Sequence, residues 1–414
     1  MYDIERLKLQ QNFKDKSHWV CPANFYKDVN NGLAGREIQI HDVTLRDGEQ
    51  TFGVAYSVAE RVRIAEALDD IGVARIEAGM PIISAENRAG IKEVIASNLN
   101  AEITALVRAH KMDIDLSEEC GLKTVIVEHC LNPYVNQEGY GLDTPGIVAR
   151  CAESINYAQE KGIKAIFMGW DMTRIDDMDY LENFYKSLAS QCDPAAIVLV
   201  DTFGAALPRA AGFLVQKVKE WVPGITIEYH NHNEFGLANA GVLEAVSSGA
   251  DVVHSAVNGL GERTGNAATE EIAAMLELMA GVKTGIDLSR LMEVSILVEN
   301  ASRRPVPANK PVVGRGLFNV ETGVAVDLIT KMESKGFDMS VSPMVPSIVG
   351  QPKTELVLGK NSGKATIEYH LHRHNLTATP DQTEEILGQV KSEGRLQRTL
   401  LSDPQFLAIC NKVL

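Results

Sequence analysis

The chain has 414 residues, which is too long for a short binding module and long enough to bury a sizeable core. Its 40 basic and 55 acidic side chains give a formal net charge of −15, opposite to the positive field that attracts nucleic acid or an anionic membrane. Hydrophobic residues at 45% with charged residues at 23% exclude a disordered chain and indicate a globular one. An anionic metabolite as ligand therefore requires a local Arg, Lys or metal ion.

The cysteines and the N-terminal segment predict a cytoplasmic protein. The N-terminal segment MYDIERLKLQQNFKDKSHW is charged and lacks the apolar core of a secretory signal. No later apolar run approaches the ~18 residues of a membrane span, so neither a membrane nor nucleic acid is an expected partner. The cysteines contain no CxxC pair, which is typical of reduced thiols in a cytosolic enzyme; they are Cys21, Cys120, Cys130, Cys151, Cys192 and Cys410.

Short β-branched or apolar runs alternate with helix-like stretches from about residue 36 to residue 282. The runs are 37–45, 74–79, 101–108, 123–129, 164–169, 196–201, 224–232 and 251–257. The stretches between them, such as 57–72 and 239–250, have apolar positions three or four residues apart. Eight such units predict an α/β fold, a (β/α)8 TIM barrel, whose usual size is about 250 residues. An open doubly wound sheet is the alternative, but TLRDGEQTFG after the first run lacks the GxGxxG fingerprint.

The alternation stops after about residue 287, where the Pro-bearing stretch SRRPVPANKPVVGRG interrupts the chain. We therefore expect an N-terminal arm over 1–35, the catalytic barrel over 36–285 and small, mainly helical C-terminal subdomains over 286–414. The stretches ETGVAVDLITKMESKG and TPDQTEEILGQVKSEG are the predicted helices of the last part.

The chemistry of such a barrel takes place where strands end and βα loops begin. Arg46 and Asp47 close the first run before a glycine; taken alone, they also fit a surface ion pair. In the seventh run, EYHNHNEFG, His230 and His232 are two positions apart and so point to the same face. Two inward imidazoles form half of a metal site, and a hydrogen-bonded polar pair is the alternative. Because only one strand separates strands 7 and 1 in a closed barrel, Asp47 can complete a site for Mg2+, Mn2+, Co2+ or Zn2+, with Arg46 beside it.

Other strand ends carry weaker candidates. Glu77, in RIEAGMP, either orients Arg46 or a metal-bound water, or makes an ordinary hydrogen bond. Asp201 and Thr202 follow the sixth run. The Gly-rich loop VNGLGERTGNAATEE allows the backbone to approach a ligand, and its Asn266 is expected to open a helix; a structural turn is the alternative.

Three motifs together resemble the isopropylmalate, homocitrate and citramalate synthase family of metal-dependent barrel enzymes: TLRDGEQ (44–50), HNHNEFGLA (230–238) and NGLGERTGN (258–266). LVLGKNSGKA (356–365) is similar to a segment of that family's C-terminal subdomains. The superfamily also includes hydroxymethylglutaryl-CoA lyase. The resemblance implies a Claisen-type condensation of acetyl-CoA, or another acyl-CoA, with a 2-oxo acid, carried out by a homodimer that uses a divalent metal.

The resemblance also assigns roles to individual residues of this sequence. The implied metal ligands are Asp47, His230, His232 and, from the lyase branch, Asn266. The predicted catalytic residues are Arg46, which matches the family's Arg that stabilises the enolate or carbonyl oxygen, and Glu77, which is predicted from its strand-end position alone. The predicted substrate-binding residues are Gln50, Glu128 and Thr202, of which Thr202 alone is matched to a family residue, one near the bound 2-oxo acid.

Two positions depart from the family. The synthases end strand 5 with a Glu that supports the 2-oxo acid site, whereas this sequence reads IFMGWDMTR, so that Glu128 or Asp171 would have to substitute. Ala325 occupies the position of a His thought to act across the dimer interface. Since alanine cannot move a proton, a lyase or aldolase that cleaves a hydroxy acid on the same metal is a second hypothesis, and a catalytically silent metal-binding paralogue is a third. The chain stops about where the family's regulatory domain begins, so feedback inhibition is not expected.

Overall fold

The computed structural model describes residues 10–414, which form two compact units. One unit is Cys21–Val306, and the other combines residues 10–20 with Pro307–Leu414. In the first unit eight parallel strands close into a barrel in chain order, and β8 pairs with β1. This confirms the predicted (β/α)8 barrel, and each strand overlaps the run predicted for it. The strands are β1 Gln39–Asp42, β2 Arg75–Glu77, β3 Glu102–Arg108, β4 Thr124–Cys130, β5 Lys164–Trp170, β6 Ile197–Asp201, β7 Ile227–Asn231 and β8 Val252–Ser255.

Helices alternate with these strands, and their ends follow local sequence signals. Helix α2 begins at a capping box, in which Ser57 and Glu60 each accept a hydrogen bond from the other's backbone N–H. Helix α4 ends at Gly121, whose φ of +88° is the left-handed conformation that closes many helices. The α-helices of this unit are α1 Lys27–Asn30, α2 Val58–Asp70, α3 Ala85–Ala96, α4 Lys111–Cys120, α5 Pro133–Val135, α6 Thr144–Glu160, α7 Met178–Gln191, α8 Pro208–Trp221, α9 Ala238–Ser247, α10 Thr269–Ala274 and α11 Leu291–Ser302.

The barrel interior has an apolar half and a charged half. The apolar half lies along β3–β6 and consists of Leu106, Ile126, Ile166, Met168, Ala196, Val198 and Val200. The charged half lies along the neighbouring strands β7, β8, β1 and β2, where the buried residues include His41, Arg75, Glu77, Glu228 and His254. Branched apolar residues usually dominate barrel interiors. The charged half therefore needs internal partners to offset the cost of burying its charges.

The barrel unit extends past the expected boundary at residue 285. Helix α11 packs against α2, and its Leu291, Val294 and Val298 are buried. The unit ends at Val306, inside the Pro-bearing stretch. At the other end, the unit begins at Cys21 rather than at residue 36.

The second unit is mainly helical, as predicted. Its helices are α12 Gly323–Glu333, α13 Lys364–Arg373, α14 Pro380–Gln397 and α15 Asp403–Val413, and a parallel pair of short strands joins β9 Asn319–Val320 to β10 Glu355–Leu356. Residues 10–20 belong to this unit because Trp19 N–H donates to Pro343 O and Val345 N–H donates to Ser17 O. Of the helices described in either unit, none combines the length and apolar character needed to cross a membrane.

Candidate metal and substrate site

Asp47, His230 and His232 lie together at the carboxyl end of the barrel strands. Asp47 follows β1 through a short turn, His230 lies near the end of β7 and His232 lies just beyond it. His230 Nε2 is 3.6 Å and His232 Nε2 is 3.7 Å from Asp47 Oδ2, and all three side chains are buried. One ligand atom from each falls within 4.8 Å of the other two, a spacing that suits a shared ion. The barrel closure thus brings these strands together as the sequence indicated.

The electrostatics of the two histidines suit metal ligation. Burial, followed by repulsion from His232, His254 and Arg46, holds the pKa of His230 well below its ordinary value. Burial also lowers the pKa of His232, against the attraction of Asp47. His232 Nδ1–H donates to Gly265 O at 3.3 Å, so the lone pair of Nε2 is left on the side of Asp47. Neutral imidazoles with free lone pairs are the form that binds a metal.

Asn266 lies next to this cluster with one oxygen unused. Its Nδ2 donates to Leu260 O at 2.8 Å, while the buried Oδ1 has no hydrogen-bond partner among the described residues. A Cβ added at Gly261 would lie 2.2 Å from Asn266 Nδ2 and 2.8 Å from Asp47 Oδ1, so the glycine backbone packs directly against both side chains. Asn266 Oδ1 is therefore a further buried oxygen beside the cluster to which no described residue donates a hydrogen bond. The expected helix begins at Thr269 rather than at Asn266.

Arg46 is fixed between two carboxylates. Its Nε donates to Glu77, and its Nη1 donates to Asp47 Oδ2 at 3.0 Å and to Gln50 Oε1 at 3.3 Å. Burial alone would raise the pKa of Glu77, but Arg46 and His41 hold it at about 2. Glu77 is thus a permanent carboxylate that orients Arg46. The buried Nη2 of Arg46 has no partner among the described residues and can donate to a ligand.

A second buried cluster, of His41, Glu77 and His254, lies in the charged half of the barrel interior. His254 Nε2 lies 2.8 Å from Glu228 Oε2, and Arg75 Nη1 lies 2.7 Å from Glu228 Oε1. His41 Nε2 lies 3.3 Å from Glu77 Oε2. Because both carboxylates are already paired with Arg side chains, this arrangement is a hydrogen-bonded ion network rather than an open ligand set. Sequence reasoning missed it, although ionisable residues at strand positions facing a core were a usable signal.

One cavity of about 500 Å3 lies over the first cluster. Of the expected site residues, those lining it are Arg46, Asp47, Gln50, Glu128, Thr202, His230 and His232. Glu77 lies behind Arg46, and Asn266 lies behind Gly261. The opposite wall carries residues that sequence reasoning did not single out, namely Arg108, His129, Tyr140, Arg150 and Trp170. The cavity therefore joins a potential metal site to a mixed polar and aromatic wall.

The positions that depart from the resemblance have distinct surroundings. Trp170 ends β5 and lines the cavity where the synthases are expected to carry a Glu. Asp171 is engaged by Arg174 at 2.6 Å and by Asn132 at 3.0 Å, so it is not free to replace that Glu. Glu128 faces the cavity, and burial raises its pKa to about 7. Ala325 lies in α12 of the second unit.

Comparisons with known proteins agree with this architecture. Residues 37–298 match the family model described as HMGL-like. The chain is 37% identical over 361 residues to a 2-isopropylmalate synthase of Methanocaldococcus jannaschii, covering 86% of this chain and 68% of that one. It is 34% identical over 396 residues to the homocitrate synthase AksA of Methanothermobacter thermautotrophicus, covering 96% and 98%. The crystal structure of the HMG-CoA lyase of Bacillus subtilis shares the fold with a TM-score of 0.59 at 22% identity, covering 66% of this chain and 96% of that one. This chain belongs to the HMGL-like family of (β/α)8-barrel proteins.

Proposed function

We propose that the protein catalyses a metal-dependent Claisen-type condensation of acetyl-CoA, or another acyl-CoA, with a 2-oxo acid. The observation that carries this proposal is the buried cluster of Asp47, His230 and His232, with Arg46 beside it, at the base of a cavity of about 500 Å3. Relatives with 34–37% identity over most of the chain are named isopropylmalate and homocitrate synthases, which supports the reaction class. These relatives are named for different substrates, so the 2-oxo acid is to be identified by testing a panel of such acids.

The donor set fits a divalent cation. Two neutral imidazoles and a carboxylate converge within 4.8 Å, and Asn266 Oδ1 is a buried oxygen without a partner among the described residues. A mixed nitrogen and oxygen set of this kind suits Zn2+, Mn2+ or Co2+, and Mg2+ remains in the test. When bound, such a cation acts as a Lewis acid that polarises the keto group of the 2-oxo acid.

The protein's own residues supply the remaining interactions in this proposal. Arg46, held by Glu77, directs its unpartnered Nη2–H at the oxygen that becomes negative as the new bond forms. The hydroxyl of Thr202 accepts a hydrogen bond from Asp171 N at 2.7 Å, so its own proton is available to the carboxylate of the 2-oxo acid. Gln50, whose Oε1 accepts a hydrogen bond from Arg46, lines the cavity beside it.

A lyase or aldolase that cleaves a hydroxy acid at the same cluster is the second candidate. One observation favours it: this chain has Trp170 at the end of β5 and Ala325 in α12, at positions where the synthases it resembles are expected to have a Glu and a His. The fold shared with an HMG-CoA lyase does not decide between the two, because the identity is only 22%.

Thiol release separates the two candidates. Metal-stripped protein is reconstituted with Mg2+, Mn2+, Co2+ or Zn2+, and release of free CoA thiol from acetyl-CoA is followed across a panel of 2-oxo acids. We expect release with at least one acid, and we expect a chelator to abolish it. Cleavage of a hydroxy acid without thiol release from acetyl-CoA would establish the lyase instead, and turnover that a chelator leaves intact would refute the metal.

We also propose that the protein acts as a cytoplasmic homodimer. The motifs that resemble the synthases support the dimer, and the six scattered cysteines, none of which is paired in a disulfide, support a reducing compartment. Light scattering of the purified protein tests the dimer, because a mass of one chain over a wide concentration range would refute it.

A further inference from the structure

We propose that Glu128 is the general base that removes a proton from the acyl group of the CoA substrate. This inference rests on the proposed condensation and deepens it by naming the proton acceptor. The two residues that the resemblance would have used are replaced by Trp170 and Ala325, neither of which accepts a proton. The reaction nevertheless needs a base, because an acyl carbon becomes a nucleophile only after it loses a proton.

The position of Glu128 in the barrel suits this task. On β4 it is in register with Arg108 of β3 and Met168 of β5. It follows Ile126 of the apolar interior by two residues, so its side chain also points inward, one layer nearer the mouth. In a closed barrel of eight strands, β4 lies opposite β8, which is the strand between β1, which leads to Asp47, and β7, which carries His230. The Glu128 carboxylate therefore faces the cluster across the cavity.

This placement matches what two reactants require. A keto acid held at the cluster and Arg46 leaves the space between them and β4 for the acyl group. The proton to be removed then lies on a side of the acyl carbon that does not face the keto carbon. A base on the wall opposite the cluster reaches that proton without displacing the keto acid.

Among the carboxylates that line this cavity, Glu128 is the one that no other residue of 10–414 engages. Asp47 is engaged by Arg46, and Glu262 is paired with Arg263 at 3.4 Å. No side-chain hydrogen bond or ion pair among the described residues engages the Glu128 carboxylate. A base must be free to approach its substrate, whereas a structural carboxylate is saturated with donors.

The electrostatics agree with this geometry. Burial is the main cause that raises the pKa of Glu128 to about 7; Arg46 lowers it, while Glu77, Asp47 and Glu262 raise it. A carboxyl group in this range accepts and returns protons at neutral pH. His129 is the alternative base, because it also lines the cavity and its Nε2 has no hydrogen-bond partner within residues 10–414. Burial and Arg150 lower its pKa to about 4, which makes it the weaker acceptor.

One C–H bond of the acyl group breaks, its proton passes to a Glu128 oxygen, and the electron pair forms the new C–C bond to the keto carbon. The C=O π bond of the keto group opens as the C–C bond forms, and its oxygen takes up the proton that Glu128 releases, so that the product carries a hydroxyl and Glu128 is again a carboxylate. Water then cleaves the thioester C–S bond, which gives a carboxylate, the free CoA thiol and the proton that is released at neutral pH. No oxidant or reductant is needed.

The test compares two variants that each replace a carboxyl group by an amide with almost no change in size. Glu128→Gln is the test, and Glu138→Gln, at an exposed residue of the π-helical turn Asn136–Tyr140, is the matched control. In full-length protein loaded with the metal that supports turnover, we expect Glu128→Gln to lower kcat by about 10²–10⁴-fold. The KM values of both substrates should stay within about threefold, and Glu138→Gln should match the wild type. Circular dichroism and metal binding verify that each variant is folded.

Chemical rescue adds a readout that a structural role would not move. Formate added to Glu128→Ala should restore part of the lost kcat, because a small carboxylate can occupy the vacated space and accept the proton. A higher KM for the 2-oxo acid with unchanged kcat would instead make Glu128 a substrate contact and overturn the proposal. Wild-type kcat in Glu128→Gln would overturn it in favour of His129. A wild-type protein that releases no thiol with any 2-oxo acid would refute the proposed condensation itself, and this inference with it.

Discussion

The close approach of Gly261 to Asp47 and Asn266 gives a sharp prediction, because a single methyl group there disturbs the cluster without removing a ligand. In Gly261→Ala the new Cβ would lie 2.2 Å from Asn266 Nδ2 and 2.8 Å from Asp47 Oδ1, whereas ordinary contacts begin at 3.4 Å. The Asn266 amide must therefore shift by roughly 1 Å, a displacement that is large on the scale of a preorganised site. We expect metal affinity to fall by about 10–100-fold, as for other groups that support metal ligands.

The same substitution also strains the backbone, and a second glycine isolates that effect. Gly261 has a φ of +152°, and Gly224 has a φ of +86° with no atom within 4 Å of an added Cβ. Alanine at either position should cost about 1–3 kcal/mol in the free energy of unfolding. Only Gly261→Ala should also weaken metal binding, by about 1.4–2.8 kcal/mol for the fold-change given above.

Competition with a chromophoric chelator measures the metal affinity, and urea unfolding of the metal-free proteins measures the stability. Equal metal affinity in Gly261→Ala, Gly224→Ala and the wild type would refute the inference that Asp47 and Asn266 belong to one ligand set. A loss of affinity in both variants would attribute the effect to general destabilisation.

Three other predictions concern the charged residues of the barrel. Asp47→Ala should abolish metal-stimulated turnover while leaving the circular dichroism spectrum unchanged, and retained turnover would reject the proposed ligand set. Because the pKa of folded Glu77 is about 2, below its ordinary 4.5, the stability it contributes is fully present above pH ~4.5 and is lost as the pH falls towards 2. That contribution is roughly 3 kcal/mol. The stability difference between the wild type and Glu77→Gln, followed by urea unfolding, should therefore shrink across this window, and a constant difference would contradict the assignment. Arg75→Met leaves the buried Glu228 without its 2.7 Å partner and should lower the free energy of unfolding by about 3–5 kcal/mol at neutral pH; a loss below about 1 kcal/mol would show that the pair is not needed.

Sequence periodicity was enough to predict the barrel and the position of the cluster. Strands of period two that alternate with helical stretches have few architectures open to them, and barrel closure then fixes which strand ends become neighbours. His230 and His232 could be placed on one face because they are two positions apart, and Asp47 could be placed beside them because β8 alone lies between β7 and β1.

Sequence periodicity could not predict contacts between distant parts of the chain or the electrostatic surroundings of individual side chains. The ion pair of Arg75 with Glu228 joins β2 to β7, and no local pattern indicates such a contact. The hydrogen bonds of residues 10–20 with Pro343 and its neighbours also join distant parts of the chain without a local signal. The same holds for the packing of α11 against α2, past residue 285. Glu128 could be named as a substitute for a missing Glu, but its lack of partners depends on side chains from several strands.

The division of the barrel interior into an apolar and a charged half gives a bound substrate one preferred direction. A 2-oxo acid carries its charge and its keto dipole at one end and its side chain at the other. When the polar end faces Arg46 and the side chain faces Met168 and Val200, both ends meet a matching surface. In the reversed orientation a carboxylate lies over apolar side chains, which costs free energy. In the proposed condensation, the distribution of polar and apolar side chains on the cavity floor therefore favours the productive orientation of the 2-oxo acid before any single hydrogen bond is made.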